Sequence, residues 1–219
     1  MPTEREEEYL ETICKLQQLK ENIGTTKLSE ALKISPASVT EMVKKLGESG
    51  MVVRTENEGI GLTSQGNKKA LNIIRKHRLC ERFFTDVLKL PWDEVHEEAC
   101  RFEHVLSDRV ADALETFLSH PETCPHGHPI PSKRGKTKKD DAVPLTSLHA
   151  SQRGVVSRIS EESHEFLGYL AALGLMPQVE VRVEQVAPFK GPLLVQVRGA
   201  SYALGRDVAE KIFVRGVKG

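Results

Sequence analysis

Between His96 and His104 the chain reads His-Glu-Glu-Ala-Cys-Arg-Phe-Glu-His. In a helix, His96, Cys100, Glu103 and His104 fall at i, i+4, i+7 and i+8, so one face would carry all four. They supply nitrogen, sulfur, oxygen and nitrogen donors, a mixture suited to a first-row transition ion rather than to Mg or Ca. Further donors recur in helically spaced pairs: Glu8 with Glu11, His77 with Glu81, and Glu162 with Glu165. Each such pair taken alone equally suits a solvated helix face. The run Cys124-Pro125-His126-Gly127-His128 adds more sulfur and nitrogen donors. These ligands outnumber what one ion can use, so two sites per chain are expected. Cys14 and Cys80 are assigned to packing, because buried free cysteine is common.

The elements that must position these groups can be read from periodicity and punctuation. Tyr9, Leu10, Ile13, Leu16 and Leu19 repeat with helical spacing over residues 4–20. A short helix is expected at about Thr26 to Leu32. Ser35 is a good N-cap with Pro36 at the first helical position, opening a helix that runs to Gly50. Met51-Val52-Val53-Arg54 and Ile60-Gly61-Leu62 flank a turn-rich segment and form a hairpin. A long helix starts near Ser64. The next is expected to run unbroken from Trp92 to about Leu118, carrying the four-ligand face. Residues 133–141 are a polar linker, read as mobile. From Pro144 the texture changes to short β-type runs, at 154–159, 179–183, 193–197 and 212–214, with one helix at about 162–173. That pattern suggests a small β-barrel.

Two helices followed by a β-wing form a winged helix-turn-helix, whose second helix enters the major groove. Here that helix exposes Ser35, Ala37, Ser38, Thr40, Glu41, Lys44 and Lys45, and Arg54 lies in the wing. Short hydroxyls allow close approach to bases, and the cations attract phosphate regardless of sequence. From Lys27 to Arg82, eleven Lys and Arg stand against six Glu. This local excess suits a polyanion, or a solvated helical surface. The whole chain of 219 residues is neutral, with 31 Lys plus Arg against 31 Asp plus Glu. It contains no apolar run long enough to cross a membrane and no apolar leader after its acidic start, and its four cysteines form no CxxC pair. A cytoplasmic, reduced protein with no membrane partner is expected. The apolar positions Val105, Val110, Leu114, Phe117 and Leu118, with Trp92 nearby, suit either a dimer interface or an ordinary core.

The chain resembles, over essentially its whole length, the diphtheria toxin repressor family of metal-dependent regulators. The resemblance is carried by Arg75-Lys76-His77-Arg78-Leu79-Cys80-Glu81 and by the stretch from Val95-His96 to Leu106-Ser107. Thr123-Cys124-Pro125-His126-Gly127 matches the streptococcal-type manganese branch. The segment from Phe166 through Leu173-Gly174-Leu175-Met176-Pro177 to Gly191-Pro192 looks like an FeoA-type SH3-like barrel. The implied fold is a mainly α N-terminal two-thirds followed by that barrel. The implied domains are a winged helix-turn-helix at 1–72, a helical dimerisation and metal-binding domain with linker at 73–140, and an FeoA/SH3-like domain at 141–219.

Carried over by position, the family's primary site uses Glu8, Cys100, Glu103 and His104. The ancillary site uses His77, Glu81 and His96, joined by Glu162 and Glu165, with Cys124 and His126 in the manganese branch. Glu11 matches a further ligand of the short manganese regulators. Two positions depart from the pattern. The iron branch usually has Met where Glu8 stands, and the manganese branch has Asp there. The manganese branch usually has Glu where Cys100 stands. The thiolate favours Fe(II), Co(II) or Zn(II), and the carboxylates favour Mn(II). The resemblance implies a repressor of metal-uptake genes that senses Mn(II) or Fe(II), with Zn(II), Co(II) or Cd(II) as surrogates. It would bind a palindromic operator as a homodimer and would not be an enzyme acting on a small organic substrate. Alternatives are a zinc-responsive regulator of the same architecture, a metal-independent winged-helix regulator, and a zinc hydrolase. The last draws on the HExxH-like run His96-Glu97-Glu98-Ala99-Cys100, which has no substrate-binding architecture around it.

Overall fold

Residues 3–18, 22–55, 59–138 and 140–219 are described by a computed structural model. They divide into two units. The first comprises Met1–His77, Glu103–Asp108 and Pro131–Thr137, and the second comprises Arg78–Phe102, Arg109–Ile130 and Lys138–Gly219.

In the first unit, helix α1 (Glu4–Gln18) buries Tyr9, Leu10 and Ile13, as its apolar spacing requires, while Leu19 lies outside the described residues. Helix α2 (Thr25–Leu32) ends on Lys33, which turns left-handed at φ 54°. Helix α3 (Pro36–Glu48) opens as its sequence dictates: Ser35 is extended and its side chain accepts from the Ser38 backbone N–H. Strands β1 (Val52–Thr55) and β2 (Gly59–Leu62) pair antiparallel, with Val52 opposite Leu62. Glu56, Asn57 and Glu58, the turn expected between them, lie outside the described residues. The Thr63 hydroxyl accepts from the Gly66 N–H at the start of helix α4 (Ser64–Asp86). One core joins Leu10, Ile13, Leu28, Val39, Leu46, Ile60 and Ile74. Residues 132–136 form a hydrogen-bonded turn, Ser132 N–H to the Lys136 carbonyl at 2.9 Å and Gly135 N–H to the Ser132 carbonyl at 2.8 Å, where a mobile linker was expected.

The second unit holds helix α5 (Val95–Phe102) and most of helix α6 (Asp108–Phe117). These replace the single helix expected from Trp92 to Leu118. Residues 103–105 are a turn, and Ser107-Asp108, both suited to a helix start, open α6. Strands β3 (Val143–Pro144), β4 (Arg153–Ile159), β5 (Glu180–Val186), β6 (Leu193–Val197), β7 (Ala200–Leu204) and β8 (Ile212–Lys218) form one antiparallel sheet in the order β3-β8-β4-β5-β6-β7. Helix α7 (His164–Leu173) enters between β4 and β5, and a short helix α8 (Arg206–Ala209) precedes β8. Alternation along β5 and β6 points Val181, Val183, Val195 and Val197 inward against Leu167, Leu170 and Ile212. This is the small barrel expected, with two strands, β3 and β7, that their short and mixed sequences concealed. Trp92 belongs to this core and donates its indole N–H to the Pro125 carbonyl at 3.0 Å. It is therefore not part of the exposed apolar face with which it was grouped.

Candidate metal centres and nucleic-acid face

In the first unit, α1, α4 and the turn after α5 bring carboxylates and imidazoles together. Glu11, His77 and Glu103, all buried, have ligand atoms within 4.8 Å of one another. His77 Nδ1 lies 2.5 Å from Glu103 Oε2. Burial works against the Glu11 charge. Lys15, 3.1 Å away, and the nearby His77 nevertheless draw its carboxyl down to about 2. A second group, Glu4, Glu8 and His104, is similarly close. His104 Nδ1 is 2.9 Å from Glu7 Oε2, and its Nε2 is 3.3 Å from Glu103 Oε1. Desolvation lowers the His104 pKa, but the hydrogen bond to Glu7 and the charge of Glu103 outweigh it, so the imidazole is raised above its ordinary value. His104 and Glu103 thus link the two groups.

This arrangement regroups the expected ligands. His77 has Glu103, a residue expected in the other site, 2.5 Å away. Glu8 meets His104, and Glu4 joins them. Glu103 and His104 do not share a helix with Cys100, because α5 ends at Phe102. The sequence reading lacks Glu4 and Glu7; Glu4 is signalled by the i, i+4, i+7 stripe it forms on α1 with Glu8 and Glu11, and Glu7 lies outside that stripe.

In the second unit, Glu81 from α4, Cys124 and His126 from the 123–129 loop, and Glu162 before α7 have donor atoms within 4.8 Å. His126 Nδ1 is 3.1 Å from Glu81 Oε1 and 3.6 Å from Glu162 Oε1. His96, from α5, approaches the same pair, at 3.2 Å from Glu81 and 3.5 Å from Glu162. Its Nε2 is 3.8 Å from the Sγ of Cys100, which is exposed. Glu165 stands exposed in the first turn of α7 and is not among these donors. His128, quoted in the sequence motif but not among the expected ligands, approaches Glu162 Oε1 at 3.4 Å.

The loop is fixed by its backbone. The Cys124 N–H donates to the His128 carbonyl at 2.9 Å, and the Ile159 N–H donates to the His126 carbonyl at 3.0 Å. Gly127 sits at φ 90°, and a Cβ there would fall 1.9 Å from the Ser157 carbonyl oxygen, so the close approach to β4 needs glycine. His126 Nε2 is 2.9 Å from the Trp92 carbonyl. That acceptor requires a proton on Nε2, which turns Nδ1 toward Glu81, Cys124 and Glu162. Desolvation lowers the His126 pKa, but the Glu81 carboxylate raises it well above the ordinary value. Burial, aided by Glu81, pushes the Cys124 thiol up. His128 is driven the other way, to about 4, by burial and by the positive charges of Arg78 and Arg158.

Both donor sets fit a divalent transition ion. The first-unit set is made of carboxylate and imidazole. The second combines thiol, imidazole and two carboxylates, with Glu81, Cys124 and His126 buried and Glu162 half-buried.

The expected nucleic-acid face is on α3 and β1. Ser35, Ala37, Thr40, Glu41, Lys44, Lys45 and Arg54 are exposed, and Ser38 is half-buried. Ser35 and Ser38 hydroxyls are hydrogen-bonded at 2.9 Å, and the Thr40 hydroxyl donates to the Pro36 carbonyl. Lys45 is paired with Glu6 at 3.0 Å, and Arg54 donates to Thr25.

Three known domain families match successive parts of the chain. The iron dependent repressor N-terminal DNA binding domain matches residues 1–60, the iron dependent repressor metal binding and dimerisation domain matches 63–132, and the FeoA domain matches 143–216. The chain is 33% identical to the iron-dependent repressor IdeR of Mycobacterium tuberculosis (strain ATCC 25618 / H37Rv), covering 96% of each chain. A solved manganese-dependent transcriptional repressor in complex with manganese superposes with a TM-score of 0.86 at 32% identity, over 95% of this chain and 98% of that one. ScaR with bound Cd2+ superposes at 0.85 with 29% identity, over 98% and 99%. By sequence over nearly its full length, the chain belongs to the iron-dependent repressor family that includes the diphtheria toxin repressor.

Proposed function

We propose that the chain is a metal-dependent transcriptional repressor, not an enzyme. It would sense Mn(II) or Fe(II) in the cytoplasm and control metal-uptake genes, binding a palindromic operator as a homodimer. The reading rests on one observation above others: side chains of α1, which packs beside the DNA-reading helix α3, converge with His77, Glu103 and His104. A divalent ion held there would supply positive charge offsetting the converging carboxylates. The residues that would hold one ion are Glu8, Glu11, Glu103, His104 and His77, with Glu4 as a further donor. A second would be held by Glu81, His96, Cys124, His126 and Glu162.

The work of the chain's own groups follows. Glu8 and Glu11 tie α1 to the scaffold, and α3, packed on α1, takes one orientation in each protomer. Two such helices at a fixed separation match two operator half-sites. Ser35, Ala37, Ser38, Thr40 and Glu41 face the bases, and Lys44, Lys45 and Arg54 face phosphates. Val105, Val110 and Phe117 are exposed rather than buried in a core, which supports a subunit interface. The three segments 1–72, 73–140 and 141–219 would then read DNA, pair subunits and supply Glu162. The buried thiol of Cys124 favours a second reading, in which Zn(II) or Fe(II) occupies that group in preference to Mn(II).

The test is Glu103→Ala and His104→Ala in the full chain. Metal-stimulated operator binding should fall at least tenfold while the dimer persists. Stimulation equal to wild type in both variants would refute the site.

A further inference from the structure

One face of the second unit's barrel carries a row of like charges that neither the DNA face nor the metal centres use. Lys218 on β8 lies directly opposite Arg153 on β4, and Arg153 lies directly opposite Arg182 on β5. Arg182 in turn faces Gln196 on β6. Residues directly opposite in antiparallel strands project to the same side with Cβ atoms about 5 Å apart. Val181, Val183, Val195 and Val197 point inward, and Lys218, Arg153 and Arg182 are exposed. Three cations therefore stand side by side across three strands, an arrangement that destabilises a sheet unless negative charge lies against it.

The row borders a cavity of about 670 Å³ lined by Arg153, Arg182, Gln196 and Arg198. Arg198 reaches it from the β6–β7 turn, where it holds φ 51° beside Gly199 at φ 87°. Two consecutive positive φ values with Val197 opposite Ala200 make a two-residue hairpin turn that normally takes Asn or Gly at Arg198's position. The acidic side chain in the lining is Glu180, 3.8 Å from Arg153, and it offsets part of the charge. The lining has no aromatic ring on which a base could stack. Its volume is that of a small-ligand site.

We propose that this cavity binds a compact polyanion bearing two or three carboxylate or phosphate groups. Arginine forks at Arg153, Arg182 and Arg198 grip its oxygens, and Gln196 donates a neutral hydrogen bond. A concave site of finite volume favours a small anion over the convex backbone of a duplex. Its ligand would be a second input to the protein, independent of the metal groups.

The test is calorimetric titration of the demetallated full chain, in which chelation plays no part, with citrate and with pyrophosphate. Acetate serves as the monoanion control and a nonspecific DNA duplex as the macromolecular one. Saturable binding of one polyanion per chain is expected, the tighter of the two identifying carboxylate or phosphate. Arg182→Thr and Arg198→Asn should each weaken it about tenfold or more. Both variants should melt at or above the wild-type temperature in low salt, because one removes a like-charge neighbour and the other relaxes the turn. Absence of saturable binding by either polyanion would overturn the proposal. So would affinity unchanged in both variants, or binding of the duplex alone.

Discussion

His126 holds its two ring nitrogens in different roles, and that asymmetry fixes what it can do. With Nε2–H committed to the Trp92 carbonyl, only Nδ1 can face Glu81 and Glu162. Without a metal, Nδ1 carries a proton between carboxylates. As a ligand it must lose that proton. His104 has the same character beside Glu7 and Glu103. Because both imidazoles are raised, their stabilisation of the metal-free protein is fully present below about 6.5 and is lost as pH rises through their folded values. Metal affinity runs the opposite way. The rise in melting temperature on adding Mn(II) should therefore grow from pH 6 to pH 8 (both roughly spanning the ordinary histidine value), as read by thermal scans of both forms. A shift independent of pH would contradict this assignment. Glu11, lowered to about 2, contributes stability above its ordinary 4.5 that is lost as pH falls toward 2. His126→Ala should remove one of about two bound ions per chain, and His104→Ala the other, as counted by elemental analysis. Gly127→Ala has no room beside the Ser157 carbonyl and should disable the second group without touching a ligand.

The elements show which signals a sequence carries. The α3 start was legible because Ser35 and Pro36 act locally, through one hydrogen bond and one fixed φ. Replacing Ser35 with Ala should cost about 1 kcal/mol in urea unfolding of the full chain. Lys44→Ala should reduce the salt dependence of operator binding by roughly one unit of slope and leave sequence preference unchanged. The break between α5 and α6 was not legible. The helical spacing of His96, Cys100, Glu103 and His104 fits an unbroken helix, and only packing decides that Glu103 turns to His77. His77 and Glu81 are one turn apart on α4, and spacing alone does not foretell that Glu103 lies beside His77 or that His126 lies beside Glu81. Helical spacing states which residues share a face, not which distant element that face meets. Glu165 shows the same limit: it pairs with Glu162 in spacing, but α7 begins at His164, after Glu162, and carries Glu165 to the surface. Strands β3 and β7 are not legible in the sequence, because two residues, or a run as mixed as Ala-Ser-Tyr-Ala-Leu, give no clear alternation.

Ion, subunit pairing and operator are coupled through the proposed dimer. Val110 and Phe117 on α6 are exposed apolar groups, and Phe117→Glu should shift the chain toward monomer in sedimentation experiments. Operator affinity should fall with it, since one recognition helix contacts one half-site. Chelation should return the loaded protein to weak operator binding without unfolding it. The central claim is reciprocal: if the ion favours the DNA-competent arrangement, the operator must tighten the ion by the same factor. The most direct measurement is the Mn(II) dissociation constant of the full chain with and without saturating operator duplex, set beside the operator dissociation constant with and without Mn(II). Two equal ratios are expected, each on the order of 5- to 150-fold. A ratio of one in both would contradict it.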